Sequence, residues 1–190
     1  VYKYDPEKEK SLLKEAGQEN LSFTLLVIDN WIKDLAAQIQ QDLQAVGLTC
    51  TLDVQAAPYP ALAAKEDDSV LDYDVFLAPG DVSCFGTNAD VHLAWFYGEN
   101  TDWCQGRTCW AKAGDGKCTE FNQYLDEARK ATDSGARQEA YNKCFDIIAE
   151  EVPLYPLFHK KVLTGYWADK IEGFEPSPTT GLYFQNAKLK

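Results

Sequence analysis

The stretch from residue 22 to residue 54 decides the fold of this 190-residue chain, and it reads SFTLLVIDNWIKDLAAQIQQDLQAVGLTCTLDV. Residues 22–28 form a nearly continuous apolar and β-branched run, which is typical of a central strand covered on both faces. Between residues 31 and 47, apolar side chains recur with the 3.6-residue period of a helix, and the pattern stops at Gly47. A second strand is predicted at residues 49–54. A strand, a helix and a strand with short connections predict a right-handed parallel crossover.

Further elements extend this pattern on both sides of the crossover. A helix is predicted after Asp5, and residues 74–78 form another buried strand that runs into the loop Pro79-Gly80-Asp81. A short helix with Asp90 as its N-cap follows, then a long irregular stretch at residues 98–117. Two antiparallel helices and a proline-rich extended segment complete the pattern. The sequence therefore predicts an α/β fold with a mixed, partly parallel sheet flanked by helices.

Charge and motifs exclude several function classes. Thirty acidic and 18 basic residues give a net charge of −12, which repels phosphate backbones and anionic membrane surfaces. We therefore expect no nucleic-acid partner. The sequence holds no apolar run of about 18 residues, so we expect no membrane insertion by this segment. It also has no Gly-rich phosphate loop and no Gly-x-Ser-x-Gly elbow, which argues against an enzyme.

Six cysteines are many for a cytosolic domain of this size. An even number in loops predicts disulfides among the four that lie in or beside one Gly-rich and Trp-rich region, namely Cys84, Cys104, Cys109 and Cys118. Cys50 lies on a strand pattern and Cys144 on the apolar face of a helix, and these two are either a further pair or free core thiols. The spacing lacks a Cys-x-x-Cys and a nearby histidine, so neither a metal site nor another cofactor is predicted.

Four blocks of sequence, in the same order, resemble the family 5 extracellular solute-binding proteins of the peptide and nickel type. They are YDPEK with LLKEAG at residues 4–17, IQQDLQAVG at 39–47, YDVF at 73–76 and IAEEVPLYPLF at 148–158. The resemblance implies that residues 1–160 form the C-terminal ligand-binding lobe of a two-lobed periplasmic-binding-protein type II fold. It also implies that residues 161–190 form a tail that crosses the hinge back to the N-terminal lobe.

The same resemblance implies a function. Proteins of this family are the solute-binding components of ABC importers, and their two lobes close over a peptide or peptide-like solute by a hinge motion. It implies ABC permease subunits as partners, an extracellular or periplasmic location, and anchoring as a lipoprotein. The family also binds nickel complexes, haem and sugars, and the fold does not select among them.

Candidate ligand-binding residues lie in loops at the carboxyl end of the strand at residues 74–78, where α/β sheets bind ligands. In the peptide binders of this family, an aspartate after this strand accepts the amino terminus of the ligand, because a buried ammonium needs a charged partner. Asp81 is the candidate for this role, and Asp90 is the alternative position. Aromatic side chains supply apolar area with an adaptable edge, and those predicted to line the pocket are Tyr59, Phe85, Trp103 and Trp110.

Two other classes of function stay open on the sequence. The first is a secreted hydrolase that uses Asp81 with His92, and steady turnover of an ester, peptide or glycoside would identify it. The second is a disulfide-stapled protein-interaction domain, with which a stable protein partner would co-purify.

Overall fold

The computed structural model describes residues 3–27, 32–55, 73–78, 80, 86, 88–159, 161, 163–175 and 183–190. The chain divides into two compact units, residues 1–80 and residues 81–190. The predicted boundary at residue 160 rests on the family resemblance and stays a prediction.

The first unit contains the predicted crossover. Helix α1 (Pro6–Glu15) precedes strand β1 (Ser22–Val27), helix α2 (Lys33–Ala45), strand β2 (Thr49–Val54) and strand β3 (Val75–Leu77). Both neighbours of β1 run parallel to it in the order β2-β1-β3, with Ser22 opposite Thr49 and Leu25 opposite Val75. The parallel sheet flanked by helices is confirmed. Asp5 also caps α1 as predicted, because its carboxylate accepts the Lys8 N–H at 3.0 Å.

Strand β1 is buried on both faces, as its continuous apolar run predicts. Leu25 and Val27 pack with Ala36 of α2 and with Cys50 of β2. Leu26 points to the other face of the sheet, where it packs in a cluster with Tyr73, Phe76 and Ala78. Alternate side chains of one strand therefore contribute to two hydrophobic clusters.

The second unit begins with helix α3 (Ala89–Tyr97), followed by a five-residue π-helix (Trp103–Arg107) and a 3-10 turn (Trp110–Lys112). Helices α4 (Lys117–Lys130) and α5 (Ser134–Glu151) then pack against each other across a short link, so the predicted helix pair is present. The core of this unit combines side chains from all of these elements, namely Leu93, Cys104, Trp110, Cys118, Phe121, Leu125, Cys144 and Ile147.

The described residues after α5 contain no further helix and two short strands. Val152 ends α5 in the left-handed conformation, with φ of 47°, and Pro153 follows. Strands β4 (Ile171–Glu172) and β5 (Lys188–Leu189) form an antiparallel pair. Within the described part of the chain, no helix is long and apolar enough to span a membrane.

Candidate functional site

Three of the five predicted ligand-binding residues, Tyr59, Asp81 and Phe85, lie outside the described residues. Their roles stay predictions. The structure places the other two, Trp103 and Trp110, in the segment that joins α3 to α4. We call residues 98–117 the connecting segment.

Trp103 is half-buried and lies on the π-helix. Its ring meets Phe96 of α3 edge-on at 4.9 Å between centroids, and the Arg107 guanidinium lies 4.6 Å from the ring centroid. Arginine over an indole face is a cation–π contact. Trp103 thus retains surface for a ligand while its orientation is held by two neighbours.

Trp110 is only 6% exposed, which leaves little of its ring for a ligand. It packs edge-on against Phe121 of α4 at 5.5 Å and against Tyr97 of α3 at 6.3 Å. Both neighbours are far from Trp110 in sequence, so its polar flanking residues could not reveal this burial. In the structure its side chain fills the core between α3 and α4, and the predicted contact with a ligand stays untested.

Asp90 does not cap α3, and that prediction is wrong. The cap is Asn88, whose side-chain oxygen accepts the Asp90 N–H at 3.0 Å. The Asp90 carboxylate instead accepts from Arg129 Nε of α4 at 2.6 Å. Hydrogen bonding to Asp90, which outweighs the opposing desolvation, raises the pKa of Arg129 above its usual value. Asp90 is therefore already paired with a cation.

A shallow hollow of about 230 Å³ opens beside α3, lined by Gly86, Asn88, Ala89, His92, Leu93 and Phe145. The described lining is almost entirely apolar. Among these described residues, the His92 ring is the one titratable side chain, and its Nε2 lies 3.1 Å from the Gly86 carbonyl oxygen. Its volume is below the roughly 300 Å³ at which ligand pockets begin. The hollow alone does not provide the charged groups that would fix both ends of a peptide.

Asn122 was not singled out by the sequence, although it organises the start of the connecting segment. From α4, its Oδ1 accepts the Glu99 N–H at 3.2 Å, while its Nδ2 donates to the Cys118 carbonyl at 2.8 Å. Asparagine is a poor residue for a helix interior because its side chain competes for backbone groups. An asparagine in the middle of a predicted helix was thus the available signal.

The described cysteines are free thiols in this structure, so the predicted disulfides are not shown. Cys104 and Cys118 come closest to the prediction, with their sulfur atoms 3.3 Å apart. A disulfide bond is about 2.05 Å long. Cys109, Cys50 and Cys144 are also free, and Cys84 lies outside the described residues.

Comparisons with known proteins give a consistent picture. No protein-family model matches the chain. Over 98% of its length the chain is 27% identical to di/tripeptide-binding protein 4 of Pseudomonas aeruginosa, of which it covers 34%. It is also 27% identical, again over 98% of its length, to the glutathione-binding protein GsiB of Escherichia coli, of which it covers 36%. The resemblance to family 5 solute-binding proteins is confirmed.

A solved structure supports the same relationship at the level of the fold. The dipeptide-binding protein of Pseudoalteromonas sp. SM9913, determined with Met-Leu, superposes with a TM-score of 0.66 at 22% identity. That match covers 98% of this chain and 36% of the solute-binding protein. The chain thus spans about a third of the length of the proteins it matches.

Proposed function

We propose that the chain is the C-terminal lobe of a solute-binding protein that captures a peptide or peptide-like solute between two lobes and delivers it to an ABC importer. The observation that carries this proposal is the match over 98% of the chain to about a third of a di/tripeptide-binding protein. Each lobe of such a receptor supplies part of the binding site. The isolated lobe would therefore bind ligand weakly.

The surface of the C-terminal segment supports a missing partner lobe. Between Val152 and the end of the chain, several large apolar side chains are exposed: Tyr155, Leu157, Phe158, Leu163, Tyr166, Trp167, Tyr183, Phe184 and Leu189. Scattered exposed apolar residues are ordinary, but a run of them within one short segment marks a surface that another protein surface covers. In the proposed receptor, the N-terminal lobe covers this segment where the chain crosses the hinge.

The charge pattern supports Asp81 over Asp90 as the partner of the ligand's amino terminus. A buried ammonium requires a carboxylate that is not already neutralised. Asp90 is occupied by Arg129 at 2.6 Å, whereas Asp81 comes four residues after Leu77, the last residue of β3, in the sequence. Ligands bind after the carboxyl ends of strands in α/β folds. Trp103, Phe85 and Tyr59 would supply apolar contacts to the side chains of the peptide.

Thermal unfolding of the complete two-lobed protein tests this proposal. We expect a dipeptide with a free amino terminus to raise the melting temperature, because a ligand that binds only the folded state stabilises it. N-acetylation of the same dipeptide, or the substitution Asp81→Asn, should weaken binding at least about 30-fold, because each leaves one charge of the pair buried without its partner.

Asp102→Asn is the matched control, because it makes the same change of charge at an exposed residue whose side chain makes no capping bond. We expect it to leave peptide binding unchanged. Equal losses for Asp81→Asn and Asp102→Asn would overturn the role of Asp81. A complete protein whose melting temperature responds to no peptide would overturn the peptide assignment itself.

Binding without catalysis is part of the proposal. The relatives named above are binding proteins, and His92, the partner that a hydrolase would need for Asp81, lies against the Gly86 carbonyl in the apolar hollow. Steady turnover of an ester, peptide or glycoside that Asp81→Ala abolishes would establish the hydrolase instead.

The proposed location is extracellular or periplasmic, with lipoprotein anchoring of the complete protein and ABC permease subunits as its partners. Fractionation of the cells, followed by mass spectrometry of the amino-terminal residue, would detect a lipid-modified cysteine. Recovery of the protein from the cytoplasm without lipid would contradict both the location and the anchor.

A further inference from the structure

Two buried thiols meet where the connecting segment joins α4. Cys104 is the second residue of the π-helix and Cys118 the second residue of α4, fourteen positions later. Their sulfur atoms are 3.3 Å apart, and the two residues are 0% and 5% exposed. Closing this separation to the length of a disulfide takes a movement of about 1.2 Å, which side-chain rotation can supply.

The backbone on each side of the pair is already held in place. The Cys104 N–H donates to Thr101 Oγ1 at 3.2 Å, and the Cys118 carbonyl accepts from Asn122 at 2.8 Å. Cys109 differs, because it is less buried and its thiol points to the Gly106 carbonyl oxygen at 3.7 Å. Among the cysteines that the structure describes, the fold therefore brings together one pair that the sequence could not distinguish.

We propose that Cys104 and Cys118 form a structural disulfide that closes the connecting segment onto the start of α4. The proposal rests on the oxidising location that the proposed function gives the protein.

The oxidant is a disulfide, either of a thiol–disulfide oxidoreductase or of a small thiol such as oxidised glutathione. The thiolate of one cysteine attacks this disulfide, forms a mixed disulfide and releases one thiol. The second cysteine then attacks the protein sulfur of the mixed disulfide and releases the second thiol. Two electrons and two protons thus pass from the protein to the oxidant.

The environment of the pair fits a structural bond better than a catalytic one. Burial raises the pKa of Cys118 to about 12, and burial also raises the pKa of Cys104. Catalytic cysteines instead have lowered pKa values and accessible sulfur atoms. Once the core has closed, the bond is inaccessible to exchange, so we expect it to form during folding and to resist reduction in the native protein.

Peptide mapping of the complete protein, secreted or refolded with oxidised glutathione, tests the pairing directly. After alkylation of free thiols in denaturant and cleavage with trypsin, Cys104, Cys109 and Cys118 fall in three separate peptides, residues 66–107, 108–112 and 118–129. We expect a disulfide between the first and the third, with Cys109 alkylated. Because Cys84 shares the first peptide, the same map is made on Cys84→Ala, in which the link should persist. Alkylated Cys104 and Cys118, or a link from either to Cys84 or Cys109, would overturn the proposal.

Stability provides a second readout. Closing a loop of about 15 residues should lower the unfolding equilibrium constant about 100-fold relative to the reduced protein. Cys104→Ala and Cys118→Ala should each abolish the difference between oxidised and reduced protein, whereas Cys144→Ala, which removes an equally buried thiol, should retain it. Retention of the full difference in Cys118→Ala would count against this pair. Peptide binding with no link at this position would refute the disulfide alone, and the link without peptide binding would refute only the proposed function.

Discussion

The crossover of residues 22–54 and the connecting segment are held in place by different kinds of interaction. In the crossover, parallel pairing of β1 with β2 and alternating apolar side chains repeat along both strands. In the connecting segment, single contacts replace the repeat, such as the Asn122 bond to Glu99 and the burial of Trp110 between two helices. A repeating pattern can be read from sequence and tolerates conservative exchange, whereas single contacts depend on individual side chains.

The largest expected effect comes from removing the ring on which the connecting segment packs. Phe121 is 0% exposed and touches both Trp110 and Tyr97, with centroids 5.5 and 5.7 Å away. Phe121→Ala should lower the free energy of unfolding by about 3–5 kcal/mol, because it leaves a cavity in the core. Urea unfolding followed by tryptophan fluorescence measures this loss.

Phe145→Ala is the control, since this ring is 45% exposed on α5. We expect it to cost less than about 1 kcal/mol, because little buried apolar area is lost. Similar losses for the two variants would break the comparison, since the connecting segment would then not depend on its core contact.

Gly98 is the first residue of the connecting segment, and a smaller substitution at this position tests how closely the segment packs against α3. A Cβ at this position would clash with the Ala94 carbonyl oxygen, part of the backbone at the end of α3. Gly98→Ala should therefore destabilise the protein by about 1–3 kcal/mol, as overpacking does. Gly165→Ala, at a position where no atom lies within 4 Å of the added carbon, should change the melting temperature little. A Gly98→Ala variant with unchanged stability would show that α3 and the connecting segment can move apart without loss of stability.

The sequence alone predicted the secondary structure where apolar residues follow a strand or helix pattern. It predicted β1, α2 and β2 nearly to their ends, and Gly47 adopts the positive φ of 98° expected after a helix. It also predicted the parallel pairing, because a short helical connection between two strands allows little else.

The sequence failed where a residue's role depends on distant neighbours. Asp90 looks like a helix cap, but Asn88 takes that position and Arg129, 39 residues away, pairs with the Asp90 carboxylate. Trp110 looks like a loop residue, yet Tyr97 and Phe121 bury it. The Cys104–Cys118 contact likewise depends on how the π-helix meets α4, and six cysteines alone allow many pairings.

The buried thiol of Cys118, at the start of α4, makes the stability of the reduced protein depend on alkaline pH. Burial raises the pKa of Cys118 from 9.0 to about 12, so the folded, reduced protein keeps this thiol neutral where the unfolded chain ionises it. The contribution of this thiol to the free energy of unfolding is fully present below pH 9. It is lost as the pH rises from about 9 towards 12. Urea unfolding of the reduced protein at pH 8, 9 and 10 should show this decline.

The decline should be shallower in Cys118→Ala and in the oxidised protein, because neither has a thiol to ionise at this position. Cys144→Ala serves as the comparison, since burial raises the pKa of Cys144 to about 11 and its removal leaves the Cys104–Cys118 pair intact. A pH dependence unchanged in Cys118→Ala would contradict the assigned environment of that thiol.

The smallest expected change in the free energy of unfolding concerns the valines at the C-terminal ends of two helices. Helix α2 ends in Val46 with φ of −101°, and the following Gly47 takes the left-handed conformation, whereas α5 ends in Val152, which is itself left-handed with φ of 47°. A left-handed conformation costs a residue with a Cβ about 1–2 kcal/mol, and glycine avoids that cost but makes the unfolded chain more flexible. Val152→Gly should therefore raise the free energy of unfolding by up to about 1 kcal/mol. Val46→Gly should lower it, because it relieves no strain and removes a side chain that is only 7% exposed. Since the two substitutions are chemically identical, a loss in both would show that Val152 contributes more by packing than it costs in backbone strain.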